Sequence, residues 1–212
     1  MVKITLPPPE HYDEMLKADG SCRPNYAPYF EWLTNINTKT IEDKRKKAEL
    51  LFHKVGITFN VYGENEGSER LIPFDPIPRI IPAAEWKEIE KGILQRVTAL
   101  NCFLHDIYHD AQIVRAGIIP AEQIFQNSQY QCVMRGLNLV GHIYSHITGI
   151  DIVRNSDGGY YVLEDNLRTP SGVSYMLEDR KMMMRLYPEV FMKQNVAPVE
   201  QYPSLLLETL KQ

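Results

Sequence analysis

Two carboxylates, an amide and a guanidinium recur at short spacing in the stretch GIDIVRNSDGGYYVLEDNLRTPSG: Asp151, Glu164, Asn166 and Arg168. Asp157-Gly158 lies between two runs rich in β-branched and aromatic residues, a strong hairpin signal. A two-residue loop closed there sets Ser156 opposite Gly159. Counting outward, Asp151 then faces Glu164, and a four-residue loop from Ser156 to Gly159 keeps that pairing. Directly opposed residues carry their Cβ atoms about 5 Å apart on one face of a sheet. Side chains alternate along a strand, so Asn166 and Arg168 share the face of Glu164 while Asp165 points the other way. A slip by two residues pairs Asp151 with Asn166 and leaves all four groups on one face.

Like charges facing each other across a ladder destabilise it, so a compensating charge is required. Arg168 is an intramolecular candidate but lies two pairs further along. A divalent cation fits better: Mg²⁺ takes hard oxygen ligands, commonly one or two carboxylates together with substrate phosphates. Asn166 adds a neutral carbonyl oxygen. The Arg168 guanidinium suits a phosphate oxygen, being planar, permanently charged and able to bond bidentately. The loop TPSG supplies the Ser171 hydroxyl and backbone N–H groups nearby. Spacing alone leaves open a solvent-facing hairpin whose charges are decorative.

The elements that must position this hairpin are readable in outline. Residues 83–109 form the clearest helix, opened by Pro82, with Trp86, Ile89, Ile93, Val97, Leu100, Leu104 and Ile107 at three- and four-residue steps defining one buried face. Lys39 to Val55 reads as a basic amphipathic helix whose EDKRKK run is a solvated face, and Gly56 ends it. Pro24 and Pro28 make the aromatic segment before it irregular. GITFNVYG reads as a strand, ENEGSER as a turn, RLIPFDPIPRIIP as extended, and AEQIFQ as a turn or two of helix. Strands are expected from His142, so that the hairpin spans 142–168, followed by a helix over 173–187. NVAPVEQYP resembles a linker before a last helix. The organisation is a helical and extended region over 1–134, a hairpin-bearing part over 135–194, and a linker with the start of a helix over 195–212. The fold class is α+β or mixed α/β, an antiparallel hairpin-rich sheet flanked by helices.

A chain of 212 residues is long enough for one sizeable core, alone or with a smaller appendage. A net charge of −4 gives no electrostatic reason to expect nucleic acid or an anionic membrane as partner. Cys22, Cys102 and Cys132 are widely spaced and odd in number, which builds neither a disulfide framework nor a zinc pattern and points to a reducing compartment. The segment MVKITLPPPEHYDE lacks an apolar signal core, and no apolar run reaches membrane-spanning length. The expectation is a cytoplasmic protein.

Asp151, then Glu164, then Asn166 resembles the D…E-x-N metal-ligand signature of ATP-grasp ligases. PHYDEM, GITFNVYG, IPFDPIPRIIPAAEW, QRVTALNCFLHDIY, the hairpin stretch itself and MMMRLYPEVF together resemble circularly permuted, type 2 ATP-grasp proteins, related to glutathionylspermidine synthetase-like ligases, from about Tyr12 onward. The resemblance implies ATP and Mg²⁺ as cofactors and a carboxylate substrate activated as an acyl-phosphate that an amine or thiol opens. It makes Asp151, Glu164 and Asn166 the ligands of Mg²⁺ bridging the β- and γ-phosphates. Arg168 would brace the γ-phosphate or acyl-phosphate, with Ser171, Arg154 and Arg79 as further anion contacts. Arg154 and Arg79 fit equally as salt-bridge partners. In this family the metal-binding part precedes the strands and lysines that cover the nucleotide, and GENEGSER has no GxxxxGK spacing. The chain is therefore expected to be the metal- and phosphate-binding half of a ligase, with an incomplete fold and inactive alone, completed by a complementary half or by a second copy. The alternative is a non-catalytic scaffold acting through a protein partner.

Other signals carry less. His105 and His109, and His142 and His146, sit four apart, a zinc-compatible spacing on a helix, but without the HExxH pattern and with the second pair expected on a strand. Cys102 reads as a core cysteine, and Met182–Met184 as helix packing. Ser171 has no evident His partner for nucleophilic catalysis.

Overall fold

The computed structural model describes residues 11–56, 58–60, 69–71 and 74–211, with only the backbone of 58–60 and 69–71. In chain order the elements are α1 (Ala27–Asn35), α2 (Thr38–Val55), β1 (Thr58–Asn60), β2 (Glu69–Leu71), α3 (Ala83–Tyr108), α4 (Gln112–Arg115), α5 (Ala121–Phe125), β3 (Gly149–Arg154), β4 (Tyr160–Asn166), α6 (Val173–Leu186), α7 (Pro188–Gln194) and α8 (Tyr202–Leu210). The class is the mixed helix-and-sheet one read from the sequence, with the described strands forming two-stranded antiparallel pairs, β1 with β2 and β3 with β4. Most of ENEGSER and the ends of the GITFNVYG segment lie outside the described residues.

The chain separates into two compact units, neither continuous in sequence. The first comprises Met1–Pro82, Arg154–Gly159 and Ser171–Glu208. Its core joins Tyr26 just before α1, Tyr29 and Leu33 within α1, Ala48 and Phe52 from α2, Met182 and Leu186 from α6, Tyr187 at the junction with α7, and Val190 from α7. The prolines around α1 do not prevent a helix, because Pro28 occupies its first turn, where a missing N–H costs nothing. Asn37 caps α2 by accepting from Thr40 N–H, and Gly56 ends it in the left-handed conformation, φ 73°. One member of the basic run departs from the solvated reading. Lys44 donates to the carbonyl of Leu186 at the end of α6 and lies 4.7 Å from the Tyr187 ring centre, a cation satisfying a helix C-terminus. Met182 is buried and Met183 packs against the same core, as read, while Met184 is exposed.

The second unit comprises Ala83–Val153, Tyr160–Pro170 and Thr209–Gln212. Its spine is α3, whose expected stripe is real but shallow. Ile89 and Ile107 are buried, the intervening apolar positions half-buried, and Trp86 is 52% exposed. Cys102 is exposed rather than in the core, because its position on α3 falls off the stripe of Leu100, Leu104 and Ile107. The expected strand from His142 begins only at Gly149. Gly141 and His142 both take positive φ, 63° and 56°, and the backbone N–H groups of Tyr144 and Ser145 bind the Asn101 side chain instead of a neighbouring strand. Among the described residues no helix is long and apolar enough to cross a membrane.

Candidate metal and phosphate site

The tip of the β3–β4 hairpin has neither the two-residue nor the four-residue loop expected around Asp157-Gly158. Gly158 N–H donates to the Asn155 carbonyl and Asn155 N–H donates to the Gly159 carbonyl, leaving three residues in the loop and Gly158 left-handed at φ 83°. This is the three-residue loop closed by a left-handed glycine. At the other end, a methyl group added to Gly149 would lie 3.5 Å from Asn166 Cβ and 3.0 Å from Pro170 Cβ, so Gly149 faces Asn166 at close approach.

Asp151 and Glu164 meet. Both are exposed, and a hydrogen bond between their carboxyls is the main cause holding the Asp151 pKa above its ordinary value, followed by partial desolvation and the Glu164 charge. Asn166 Nδ2 donates to Glu164 Oε1 at 3.0 Å. Three of the four groups singled out by spacing thus form one cluster on one face. The fourth, Arg168, is exposed and its guanidinium is held by Gln129 Oε1. Gln129 is fixed in turn by its N–H bonding Asn127 Oδ1 at 2.9 Å, an Asx turn. Nothing in the sequence signalled Gln129, which lies in the polar connection after α5.

Asp165 points away from this cluster, as alternation requires, and forms a two-pronged ion pair with Arg96 of α3: Nε to Oδ1 and Nη2 to Oδ2, each 2.6 Å. The Arg96 hydrogen bond holds the Asp165 carboxyl below the usual carboxylate range. Arg96 favours the ionised form of Asp165, while Asp151, across the ladder on β3, retains a proton more readily than a free carboxyl. Two further bonds tie the strand down: Tyr160 hydroxyl to Glu85 Oε2 at 2.8 Å, and the buried Ser145 Oγ to the Leu167 carbonyl at 2.9 Å. Ser145 is itself set by Asn101 Oδ1 of α3, which accepts Tyr144 N–H at 2.7 Å and Ser145 N–H at 3.0 Å.

The remaining candidates lie in the first unit. Arg79 pairs with the carboxylate of Glu14, and Arg154 donates to Tyr12 Oη and the Gly158 carbonyl at 3.1 Å with its guanidinium 4.1 Å from the Tyr12 ring centre. Arg79 lowers the Glu14 pKa, and these two arginines occupy the salt-bridge role that was their alternative reading. Ser171 is exposed, immediately before Gly172, the left-handed residue at the start of α6.

The histidines form a packed group in the second unit. His105 packs against His109 with tilted rings, centroids 4.1 Å apart, and meets His142 edge-on at 4.3 Å. His109 Nδ1 donates to the His105 carbonyl and His105 Nδ1 bonds Tyr144 Oη. Burial, with the like neighbours His109 and His142, pushes the His105 pKa down. Among the described residues no group of three or more His, Cys, Asp or Glu is arranged to hold a metal ion, so the zinc-compatible spacing leads to packing.

The carboxyl pair and its amide lie inside a longer stretch that matches a known family. Residues 78–212 match the family described as a circularly permuted ATP-grasp. The chain belongs to that family. It is 43% identical to an uncharacterized protein of Synechocystis sp. over 203 residues, 96% of this chain and 42% of that protein. It is 38% identical to an uncharacterized protein of Mycobacterium tuberculosis over 200 residues, covering 94% of this chain and 36% of the relative. A Frankia casuarinae protein named "Putative glutamate--cysteine ligase 2-2" is 36% identical over 204 residues, 95% of this chain and 23% of its own length. The chain thus spans less than half the length of each of these relatives. Within the ATP-grasp frame the donor set fits a hard cation. Among the described residues the facing carboxyls share a hydrogen bond but no ion pair, and the Asn166 amide donates an N–H to Glu164, leaving its carbonyl oxygen as a further hard donor.

Proposed function

We propose that the β3–β4 hairpin carries the Mg²⁺- and phosphate-binding part of an ATP-dependent carboxylate–amine ligase. The observation that carries this reading is the exposed carboxyl pair Asp151–Glu164, hydrogen-bonded to each other and buttressed by Asn166. Structural hairpins avoid such a pair, because facing acids repel unless something neutralises them. The ligase name on the Frankia relative supports the reaction class, since glutamate–cysteine ligation joins a carboxylate to an amine.

Asp151, Glu164 and Asn166 would supply the cation's oxygen ligands, with Asp151 binding in its deprotonated form. The bound cation would neutralise charge on the β- and γ-phosphates of ATP. Arg168, presented by Gln129, would hold a γ-phosphate oxygen through its second guanidinium edge. Arg79, Arg154 and Ser171 belong to the other compact unit and are left out of this site. Both arginines already serve Glu14 and the hairpin tip, which favours Arg168 as the anion contact. In the reaction proposed, a substrate carboxylate oxygen attacks the γ-phosphorus, the bond to ADP breaks, and an acyl-phosphate forms. An amine then attacks the acyl carbon and phosphate leaves, the amine losing a proton. The chain's share is positioning and charge neutralisation, which dominate phosphoryl transfer. Contacts to adenine and the inner phosphates fall to residues outside this site, from the same polypeptide or from a partner.

The test is Mg²⁺-dependent ATP binding by calorimetry on the 212-residue chain and on Glu164→Ala and Asp151→Ala. Binding that needs Mg²⁺ and is lost in both variants is the expected result. ATP binding that is indifferent to Mg²⁺ and to both substitutions would overturn the assignment.

A further inference from the structure

The Arg96–Asp165 pair is too exposed to be explained by stability. Arg96 is 44% exposed and Asp165 17%, and exposed ion pairs contribute about 0–1 kcal/mol. Its geometry is nonetheless constraining: two parallel N–H···O bonds of 2.6 Å fix the plane and the distance of one carboxylate. Asp165 stands between Glu164 and Asn166, two of the three proposed ligands. On a strand, fixing one side chain fixes the rotation of the backbone about the strand axis, and with it the outward direction of both neighbours on the opposite face. A two-stranded ribbon needs such fixing, because alone it is marginally stable and freely twisting. The bonds at Tyr160 and, just past the strand, at Leu167 lie outside the ligand pair, whereas the Arg96 fork falls between its two members.

We propose that Arg96 is a positioning residue of the ATP-grasp metal site, acting through Asp165 to set the orientation in which Glu164 and Asn166 present their oxygens to the cation. This rests on the reading of the hairpin as a metal site. It assigns α3 a functional role: its residue 96 is part of the site's supporting shell although it touches neither cation nor nucleotide. Outer partners of this kind typically contribute tenfold or more to metal affinity.

The experiment is Mn²⁺ binding to the full chain, read by electron paramagnetic resonance well below the melting temperature, with thermal melts in parallel. The variants are Glu164→Ala, Arg96→Met, Arg96→Lys, Asp165→Asn and the exchange Arg96→Asp with Asp165→Arg. Arg96→Met and Asp165→Asn should each weaken Mn²⁺ about tenfold, at near-unchanged melting temperature. Arg96→Lys should restore little, since an ammonium cannot make the fork, and the exchange should recover most of the affinity. Should Arg96→Met fail to fold, Asp165→Asn carries the test alone, because it removes the ion pair at constant side-chain size. Wild-type Mn²⁺ affinity in the folded Asp165→Asn variant, alongside loss in Glu164→Ala, would overturn the role of Arg96 and keep the metal site. Retained affinity in Glu164→Ala would instead sink the metal site, and the proposal with it.

Discussion

Asn101 is the residue through which α3 holds the chain leading into the candidate site, and its removal has a magnitude that follows from its bonds. Its Oδ1 accepts two backbone N–H groups, from Tyr144 at 2.7 Å and Ser145 at 3.0 Å, and Ser145 is buried at 7% exposure. Asn101→Ala leaves both donors without that acceptor, and an orphaned buried donor costs about 1–3 kcal/mol. Tyr144 is half-buried and water can reach it in part, so the two together are expected to cost about 2–3 kcal/mol. The loss should be local, because the segment also loses the means to hold Ser145 Oγ against the Leu167 carbonyl. Hydrogen exchange reads this directly. In the wild type the Tyr144 and Ser145 amides should be protected; in Asn101→Ala they should exchange about 30–160-fold faster, the factor for that free energy if opening is local. Asn101→Asp keeps an acceptor of the same shape and should preserve protection at neutral pH. Unchanged protection in Asn101→Ala would refute the claim that this side chain, rather than the loop's own conformation, keeps the segment out of a strand.

Two other perturbations test the rest of the structure. Leu186→Ala, at a side chain 2% exposed among Phe52, Tyr29 and Met182, should cost about 2–5 kcal/mol by urea unfolding, with a wild-type-sized effect on Mn²⁺ binding absent, since the residue lies in the other compact unit. A pH titration of divalent-cation binding tests the carboxyl pair. Asp151 holds its proton more tightly in the folded chain than in the unfolded one, so the folded form is favoured below the usual carboxylate range, an advantage lost as pH rises through the raised value. Cation binding runs the other way: it should strengthen as pH rises through that raised value and level off once both acids are ionised. In Asp151→Asn, which has no acid pair to share a proton, the midpoint should fall to that of a single carboxylate; a midpoint unmoved by the substitution would contradict the pairing.

Much of this was legible in the residues themselves, for a local reason. Asp157-Gly158 between β-rich runs dictates a hairpin, strand alternation dictates which side chains share a face, and Asp151, Glu164 and Asn166 therefore meet whatever else the chain does. The helices α2, α3 and α6 follow equally from periodicity, caps and glycine or proline punctuation, which act within a few residues. What the sequence left open depended on partners far along the chain. That Asp165 belongs to Arg96, Arg168 to Gln129 and Arg79 to Glu14 involves separations of 69, 39 and 65 residues, and any of the exposed charges had many possible partners before folding chose one. Lys44 looked like its solvated neighbours until the end of α6 supplied a carbonyl, and the residues from His142 looked like a strand until Asn101 took their N–H groups. Short-range stereochemistry assembled the Asp151–Glu164–Asn166 cluster; tertiary packing decided that Arg168 is held by Gln129, that Arg79 and Arg154 serve Glu14 and the hairpin tip, and that α3 ties down β4 through Arg96.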